Sequence, residues 1–294
     1  MSQLMEASLA KSTFQMYNRS WKKLQIFAEL CGLAVNIPVS TFTIMQFIAY
    51  LHGTGYSPAH ISSVLSALAY FHKIQGLPDP TKHFAIQKLV AGARNLRARL
   101  DVRLPITVNI LSRLLTFLQV SISSPYRRGM IAAIMILAFR GYFRIGELLP
   151  RCKSGVERVV QLNDITLGAE SLQVVVRVFK HSTSQGPQVL HIMFQGHDPL
   201  CARVVLSSFL VARGANPGPL FSNVDSTPFL RRTFDQELYK LLRGCDLSPS
   251  VYKGHSFRIG AATDAAARGI PDAKIKAAGR WASEAYRKYI RLTN

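Results

Sequence analysis

The chain has 294 residues, long enough for about two domains that each bury an apolar core. Hydrophobic residues make up 48% of it, which is ordinary for a globular protein and argues against a disordered one. Lysine and arginine number 36 against 16 aspartate and glutamate residues, a formal net charge of +20 that favours a polyanionic partner. Nucleic acid is the leading expectation, and an anionic membrane surface is the alternative.

The apolar segments do not favour a membrane protein. The longest apolar run, 130–139, is too short to span a bilayer and is followed at once by Arg140. The first twelve residues contain no apolar signal core, and the basic residues are not gathered on one amphipathic helix. The cysteines have neither metal-site spacing nor a CxxC motif. We therefore expect an intracellular, non-secreted protein without a structural metal, nuclear if eukaryotic and otherwise cytoplasmic, with four reduced cysteines, Cys31, Cys152, Cys201 and Cys245.

The first hundred residues are predicted to form a helical domain. Apolar residues recur at helical spacing over 7–30, and a second helix is expected over 41–51. Ser57 followed by Pro58 is a typical helix start, which predicts a helix as far as Lys73. A fourth helix is expected over 83–100. It carries the candidate DNA-binding residues Arg94, Arg97 and Arg99, although an ordinary helical domain would fit this pattern equally well.

A larger and mainly helical domain is predicted over 108–294, after a linker over 101–107. The linker is charged and contains a proline that resists continued helix. Helices are expected over 108–119 and 126–149. The valine-rich segment 171–180 and the segment 188–194 are typical of two strands of a β-hairpin, and mostly helical segments follow. The fold class is therefore mainly α, with a small antiparallel β-sheet in the second domain.

Three sequence segments contain candidate anion-binding side chains. Arg144 and Glu147 are three positions apart and share a helix face, where Arg144 could hold a phosphate or simply pair with Glu147. His255 and Arg258 also lie three apart, and each disfavours charge on the other unless an anion joins them. Lys180 closes an apolar strand row and is either an edge guard or a charge delivered to a site by the hairpin.

Together these side chains match the requirements of metal-free phosphodiester transfer. Arginines neutralise the non-bridging oxygens, and cations help a tyrosine to act as a nucleophile. A lysine can protonate the departing 5′ oxygen, and a histidine can exchange a proton with the phenol. The sequence contains no dense acidic cluster for magnesium. The chemistry is therefore expected to need neither a metal nor another cofactor. Its candidate residues are Arg144, Lys180, His255, Arg258, Trp281 and Tyr289, with Glu147 in support.

The order of these residues resembles that of the tyrosine recombinases, the phage-integrase family. Members use Arg, Lys, His-x-x-Arg, His or Trp, and Tyr in this order. They also have a four-helix core-binding domain, a proline-containing linker and a lysine-bearing hairpin. The sequences of the segments HSFRIGAAT, GRWASEAY and YIR further resemble those in the enzymes of eukaryotic DIRS-type retrotransposons and crypton-type elements. The resemblance implies a core-binding domain over 1–100 and a catalytic domain over 108–294.

The resemblance also implies which tyrosine is the nucleophile. In the family it lies around thirty residues beyond the second arginine and is commonly followed by an apolar residue and an arginine. Tyr289 fits this pattern, whereas Tyr286 comes too early and is interpreted as a packing or phosphate-contact residue. Trp281 stands where many relatives carry histidine, and its N–H can only donate. Because only 290–294 follow Tyr289, either a tail is missing or the protomers contact each other differently.

The implied function is site-specific DNA recombination for mobile-element integration or excision, through a 3′-phosphotyrosyl intermediate and without ATP. Double-stranded DNA is the implied partner, bound by two protomers at each site and four protomers in the synapse, with no membrane involved. Two alternatives remain. A type IB topoisomerase-like enzyme would relax supercoils as a monomer, and a recombinase-derived protein could bind DNA without catalysis.

Overall fold

The computed structural model of the protein describes residues 8–97, 101–179, 186–194 and 200–291. The chain divides into two compact units, Met1–Asp101 and Val102–Asn294. None of the helices in the described ranges has the length and apolarity that crossing a bilayer requires.

The described part of the first unit is helical, as predicted. Ser40 and Ser57 cap the second and third helices, accepting hydrogen bonds from the backbone N–H groups of Thr43 (3.0 Å) and His60 (3.2 Å). Aliphatic and aromatic side chains from all four helices form the core of the unit. The helices are α1 (Lys11–Leu30), α2 (Thr41–Gly53), α3 (Pro58–Lys73) and α4 (Phe84–Leu96), with a 3-10 turn at Pro80–Lys82 between the last two.

Two helix ends in this unit differ from the prediction. Helix α1 begins at Lys11 instead of residue 7, because Ala10 is extended and its carbonyl starts the helical hydrogen bonds. Helix α4 ends at Leu96 and not at residue 100, since Arg97 leaves helical geometry with φ −131°. Arg94 and Arg97 therefore lie at the end of α4, and Arg99 lies outside the described residues.

A buried helix forms the centre of the second unit. All residues from Met130 to Phe139 are buried, so the apolar run of the sequence is a core helix that contacts neighbours on every side. The helices of this unit are α5 (Val108–Ser121), α6 (Pro125–Arg140), α7 (Ile145–Leu148), α8 (Ala202–Arg213), α9 (Arg231–Gly244), α10 (Ser256–Ala267) and α11 (Asp272–Ala278). Short 3-10 segments lie at Val156–Arg158, Leu162–Asp164 and Glu284–Tyr289.

The predicted continuous helix over 126–149 is wrong in its last third, where the helix breaks after residue 140. Helix α6 ends at Arg140, and Tyr142 adopts a left-handed conformation with φ +52°. The chain then restarts as the short helix α7 at Ile145. At this break the Tyr142 carbonyl accepts hydrogen bonds from the side chains of Arg258 and Arg280. These two contacts are the physical reason why the helix does not continue.

The predicted hairpin is present within a three-stranded antiparallel sheet. Its strands are β1 (Ile165–Leu167), β2 (Ser171–Val176) and β3 (Gln188–Met193), in the order β1-β2-β3. Sequence reasoning missed β1, which has three residues, and it extended β2 too far. The buried row of β2 stops at Val176, and Val178 is exposed. Val178 therefore does not continue the apolar face, and Lys180 lies outside the described residues.

Part of the predicted linker is packed into the second unit. The N–H of Leu104 donates to the Val251 carbonyl, and that of Ile106 donates to the Ser256 carbonyl, both at 3.0 Å. The Ile106 carbonyl passes so close to α10 that a Cβ on Gly260 would lie 1.9 Å from its oxygen. The small residue at position 260 thus allows the linker backbone to pack closely against α10.

Replacing Gly260 with alanine is expected to destabilise the protein by about 1–3 kcal/mol, because the Ile106 backbone must move away from α10. Gly129→Ala is a matched control within a helix. Its Cβ would meet no atom within 4 Å, so a gain of about 0.5–1 kcal/mol is expected. Denaturant unfolding of both variants measures the difference, and equal effects at the two positions would contradict the packing.

Candidate functional site

The turn between α6 and α7 places Arg144 at the start of α7. The Arg144 backbone N–H donates to Oε2 of Glu147 (3.0 Å), and its Nη1 donates to Oε1 of the same carboxylate (2.8 Å). The sequence-predicted pair is therefore present. Arg144 keeps about a quarter of its side chain exposed, whereas Glu147 is buried.

The Glu147 carboxylate binds a second arginine, Arg280, whose Nη2 donates to Oε2 at 2.7 Å. Burial alone would raise the pKa of Glu147. Attraction to Arg280, and then to Arg144, outweighs that effect, so the pKa lies below its ordinary value of 4.5. Glu147 is therefore ionised at neutral pH and compensates part of the positive charge around it.

Arg258 lies fully buried in the first turns of α10. Its Nη1 donates to the Tyr142 carbonyl (2.6 Å) and its Nη2 to the Gly279 carbonyl, while its guanidinium carbon lies 4.1 Å from the centre of the Trp281 ring. Burial, and next repulsion from Arg144, lowers the pKa of Arg258 to about 9, which leaves it charged at neutral pH.

Three guanidinium groups therefore share one carboxylate. Arg144, Arg258 and Arg280 carry three positive charges against the single charge of Glu147, so this group of four residues has two positive charges in excess. Among the described residues, no hydrogen-bond partner meets the buried Nε of Arg258 and of Arg280 or the Nε1 of Trp281. Excess positive charge beside unpaired N–H donors is the arrangement that an anion such as phosphate would complete.

An aromatic cluster borders this charge. The Tyr289 ring lies 4.9 Å from the Trp281 ring and 5.0 Å from the His255 ring, measured between ring centres. Its centre is also 5.6 Å from the Arg258 guanidinium carbon. The site thus places a phenol beside an imidazole and a buried cation.

A tight turn leads the chain from α11 to Trp281. The indole ring covers Gly279 so closely that a Cβ there would lie 1.6 Å from a ring carbon. Arg280 between them has φ +56°, a backbone conformation that residues other than glycine rarely adopt. The sequence Gly-Arg-Trp therefore directs Arg280 inward to Glu147 while the Trp281 ring folds back over the turn.

Tyr286 has a different environment from Tyr289. Its hydroxyl donates to Oδ2 of Asp272 at 2.6 Å, and the ring is buried against Trp281. The hydrogen bond to Asp272 stabilises the protonated phenol and raises the pKa of Tyr286. Tyr286 therefore packs and ties the Glu284–Tyr289 segment to α11, which agrees with the packing alternative of the sequence interpretation.

A basic groove of about 890 Å³ lies along α9. Its cations include Arg151, Arg232 and Lys240, which are exposed, and the exposed ring of Tyr239 lies among them. Three groove residues also line a neighbouring pocket of about 370 Å³ that reaches His255. These shared residues are Arg231, Asp235 and Tyr239. The groove along α9 is therefore continuous with a pocket that reaches the candidate site.

Several solved structures are similar to this chain over most of its length. An integrase of the Tn1549 transposon, in complex with transposon right-end DNA, aligns over 96% of this chain and 95% of its own, with 15% identity and a TM-score of 0.65. The XerH site-specific recombinase bound to palindromic difH aligns over 95% and 76%, with 16% identity and a TM-score of 0.67. A lambda integrase dimer on a COC′ core site aligns over 99% and 74%, with 15% identity and a TM-score of 0.66.

The chain has the tyrosine recombinase fold. Comparison with protein-family models finds no match, and neither does comparison with curated protein sequences. The fold is thus carried by a sequence that differs strongly from those of the solved recombinases.

Within this recombinase fold, the second unit gathers five of the six predicted catalytic residues. These are Arg144, His255, Arg258, Trp281 and Tyr289. The predicted supporting residue Glu147 lies in the same site. The sixth, Lys180, lies outside the described residues. The candidate DNA-binding residues Arg94 and Arg97 belong to the first unit, where Arg94 Nη2 donates to Ser62 Oγ (3.2 Å).

Sequence reasoning missed Arg280. Its side chain is only 1% exposed, and it binds the same carboxylate as Arg144. The available signal was its position directly before Trp281, which is one of the predicted site residues. Nothing in the spacing from Glu147 to Arg280 indicates that the two pair.

Glu147→Gln is expected to destabilise the recombinase fold by about 3–5 kcal/mol at pH 7, because it leaves buried arginines without their counter-charge. The lowered pKa adds a pH dependence. The stabilisation by Glu147 is complete above its ordinary pKa of 4.5 and is lost as the pH falls through its lower value in the fold. Denaturant unfolding between pH 7 and pH 3 should show the gap between parent and variant narrowing below pH 4.5.

Glu157→Gln is the matched control, because Glu157 is exposed and its ion pair with Arg158 is long, at 3.8 Å. It should stay within about 0.5 kcal/mol of the parent at each pH. A Glu147→Gln gap that stayed constant down to pH 3 would contradict the charge assignment.

Proposed function

We propose that the protein is a site-specific DNA recombinase that breaks and rejoins DNA through a 3′-phosphotyrosyl intermediate. The main support is the excess positive charge of Arg144, Arg258 and Arg280 over Glu147, beside the Tyr289 phenol. A scissile phosphate would supply the missing negative charge. Its pentavalent transition state carries still more negative charge and would be stabilised further.

In the proposed reaction, the Tyr289 oxygen attacks the phosphorus and the bond from phosphorus to the 5′ oxygen breaks. His255, whose ring lies beside that of Tyr289, accepts the phenolic proton. Lys180 is proposed to donate a proton to the departing 5′ oxygen. The 5′ hydroxyl of a partner strand then attacks the phosphotyrosine and gives its proton to Lys180. The bond from phosphorus to the Tyr289 oxygen breaks, and His255 returns the phenolic proton to Tyr289. One phosphodiester replaces another, so no energy source is consumed.

The two arginines of the proposed site differ in access. Arg144 is partly exposed and can meet a phosphate oxygen directly. Arg258 is fully buried, and both of its Nη atoms donate to backbone carbonyls. A direct contact between Arg258 and DNA therefore requires the Trp281 or Tyr289 ring to move aside. We place that rearrangement in the step in which DNA binds.

The proposed substrate is double-stranded DNA at the ends of a mobile element, with two protomers on each duplex and four in the synapse. The solved relatives with this fold include a transposon integrase on transposon DNA and an integrase dimer on a core site, which supports such a role. Within the family, the DIRS-type and crypton-type enzymes remain the proposed relatives. The first unit, with Arg94, Arg97 and Arg99, is proposed to be the core-binding domain.

Tyr289→Phe is expected to abolish the covalent link to DNA, because it removes the attacking oxygen, whereas Tyr286→Phe should keep it. The measurement uses DNA that carries candidate element ends and is nicked near the cleavage point. Each protein is incubated with it without added metal and then denatured. Retention of DNA by the parent and by Tyr286→Phe, but not by Tyr289→Phe, is the expected outcome.

The same measurement separates the alternatives. If no protein retains DNA under conditions where all of them bind it, a non-catalytic DNA-binding protein fits better. If the parent retains DNA of any sequence and relaxes supercoils without pairing two sites, the topoisomerase-like reaction fits better. If only Tyr286→Phe failed to retain DNA, the nucleophile would be Tyr286 and not Tyr289.

Arg151→Gln and Arg232→Gln are each expected to weaken DNA binding by losing one phosphate contact in the α9 groove. Such a loss flattens the slope of log affinity against log salt by about 0.9. Binding titrations at several salt concentrations test this expectation. Arg158→Gln is the control, because this exposed arginine does not line the groove, and its slope should match that of the parent. Equal slopes for the parent and all variants would show that DNA does not bind along the α9 groove.

A further inference from the structure

We propose that Arg280 is a positioning residue for phosphate neutralisation: it fixes the Glu147 carboxylate, which in turn fixes Arg144 toward the scissile phosphate. This inference rests on the proposed function. It adds a residue to that function which the order of sequence motifs does not contain.

Arg280 is buried and already paired with a carboxylate, so we assign it to the support of Arg144 and not to phosphate contact. Its side chain is 1% exposed, and its Nη2 donates to Oε2 of Glu147 (2.7 Å). Weaker hydrogen bonds reach the carbonyls of Gly141 (3.4 Å) and Tyr142 (3.5 Å) in the turn before Arg144. All of these contacts are made to the segment that carries Arg144, so Arg280 acts on that segment.

The Glu147 carboxylate connects the two arginines through different oxygens. Its Oε1 accepts from the Arg144 side chain, and its Oε2 accepts from both Arg280 and the Arg144 backbone N–H. Both oxygens are thus occupied, and the carboxylate has one orientation. Without Arg280, Oε2 would keep only the backbone contact, and the carboxylate could rotate and release the Arg144 guanidinium.

Arg280 also maintains the charge state of Glu147. Burial opposes ionisation of this carboxyl, and attraction to Arg280 is the largest of the effects that favour it. A neutral Glu147 would hold Arg144 less strongly. The matched pair of Glu147 and Arg280 therefore leaves the unmatched positive charge on Arg144 and Arg258, the two arginines proposed to meet the phosphate.

The place of Arg280 in the chain extends its effect to Trp281. Arg280 has φ +56° in the turn between Gly279 and Trp281. The Trp281 ring packs over the Arg258 guanidinium and against the Tyr289 ring. Anchoring Arg280 to Glu147 therefore orients both the Arg144 segment and the Trp281 segment around one buried ion pair.

Arg280→Gln is the test variant, and the measured quantity is the rate of covalent complex formation on two nicked DNA substrates. One carries the ordinary scissile phosphodiester. The other carries a methylphosphonate there, in which a methyl group replaces a charged oxygen. On the phosphodiester we expect a loss on the order of 100-fold, comparable to losing one donor to a developing oxyanion. On the neutral methylphosphonate, which needs less neutralisation by Arg144, we expect a loss about tenfold smaller.

Arg213→Gln is the matched control for a purely structural loss. Arg213 also donates to backbone carbonyls, with 2.8 Å from Nε to the Leu220 carbonyl and 2.9 Å from Nη2 to the Pro219 carbonyl. It has no contact with Glu147, so Arg213→Gln is expected to change the rates on both substrates by the same factor. Arg280→Lys retains the charge but lacks the planar fork, so its phosphodiester rate should lie between those of the parent and Arg280→Gln. It also provides a folded variant if Arg280→Gln does not fold.

The outcomes separate this inference from the proposed function. If the parent forms no covalent complex on either substrate, the proposed function fails and the role of Arg280 fails with it. If the parent reacts and the Arg280 variants keep its rate, or lose the same factor on both substrates, the positioning role alone is overturned. Selective loss on the charged phosphodiester by Arg280→Lys or Arg280→Gln, with unchanged duplex affinity, supports it.

Discussion

The ionised carboxylate of Glu147 is the interaction on which the candidate site depends. It is buried with three arginines close by, and without it their mutual repulsion would act in a region that water screens poorly. With it, the turn after α6, the start of α7 and the turn before Trp281 are joined at one point. One carboxylate cannot balance three cations. Glu147 therefore holds the site together through its ion pairs, and the site keeps an excess of positive charge.

Much of the architecture could be predicted because it follows from local patterns. The apolar run 130–139 had to be buried, and the valine-rich segment before a polar turn had to be a strand. Ser57 followed by Pro58 correctly predicted the start of α3. The predicted site residues of the second unit that the structure describes lie together. They could be predicted because residue types suited to one chemistry occur in a characteristic order along the chain.

The features that could not be predicted depend on contacts between residues far apart in sequence. The end of α6 at Arg140 follows from the use of the Tyr142 carbonyl by Arg258 and Arg280, more than a hundred residues away. Nothing near position 142 indicates a left-handed tyrosine. For the same reason, the burial of Arg258 beneath Trp281 was missed, since a sequence pattern identifies which residues meet but not which of them covers the other.

The 3-10 winding of the Glu284–Tyr289 turn has a mechanical consequence for the phenol at its end. In this winding, residues three positions apart eclipse each other, so Tyr289 stands directly in line with Tyr286, which is held by Asp272. Rewinding the same three steps as an α-helix would turn the later residue back by about 60° and shorten the rise by about 1.5 Å. With Tyr286 as the fixed end, a small change in helical pitch would thus rotate the Tyr289 hydroxyl about the segment axis, and the contact of the Tyr289 carbonyl with Thr263 would have to change with it.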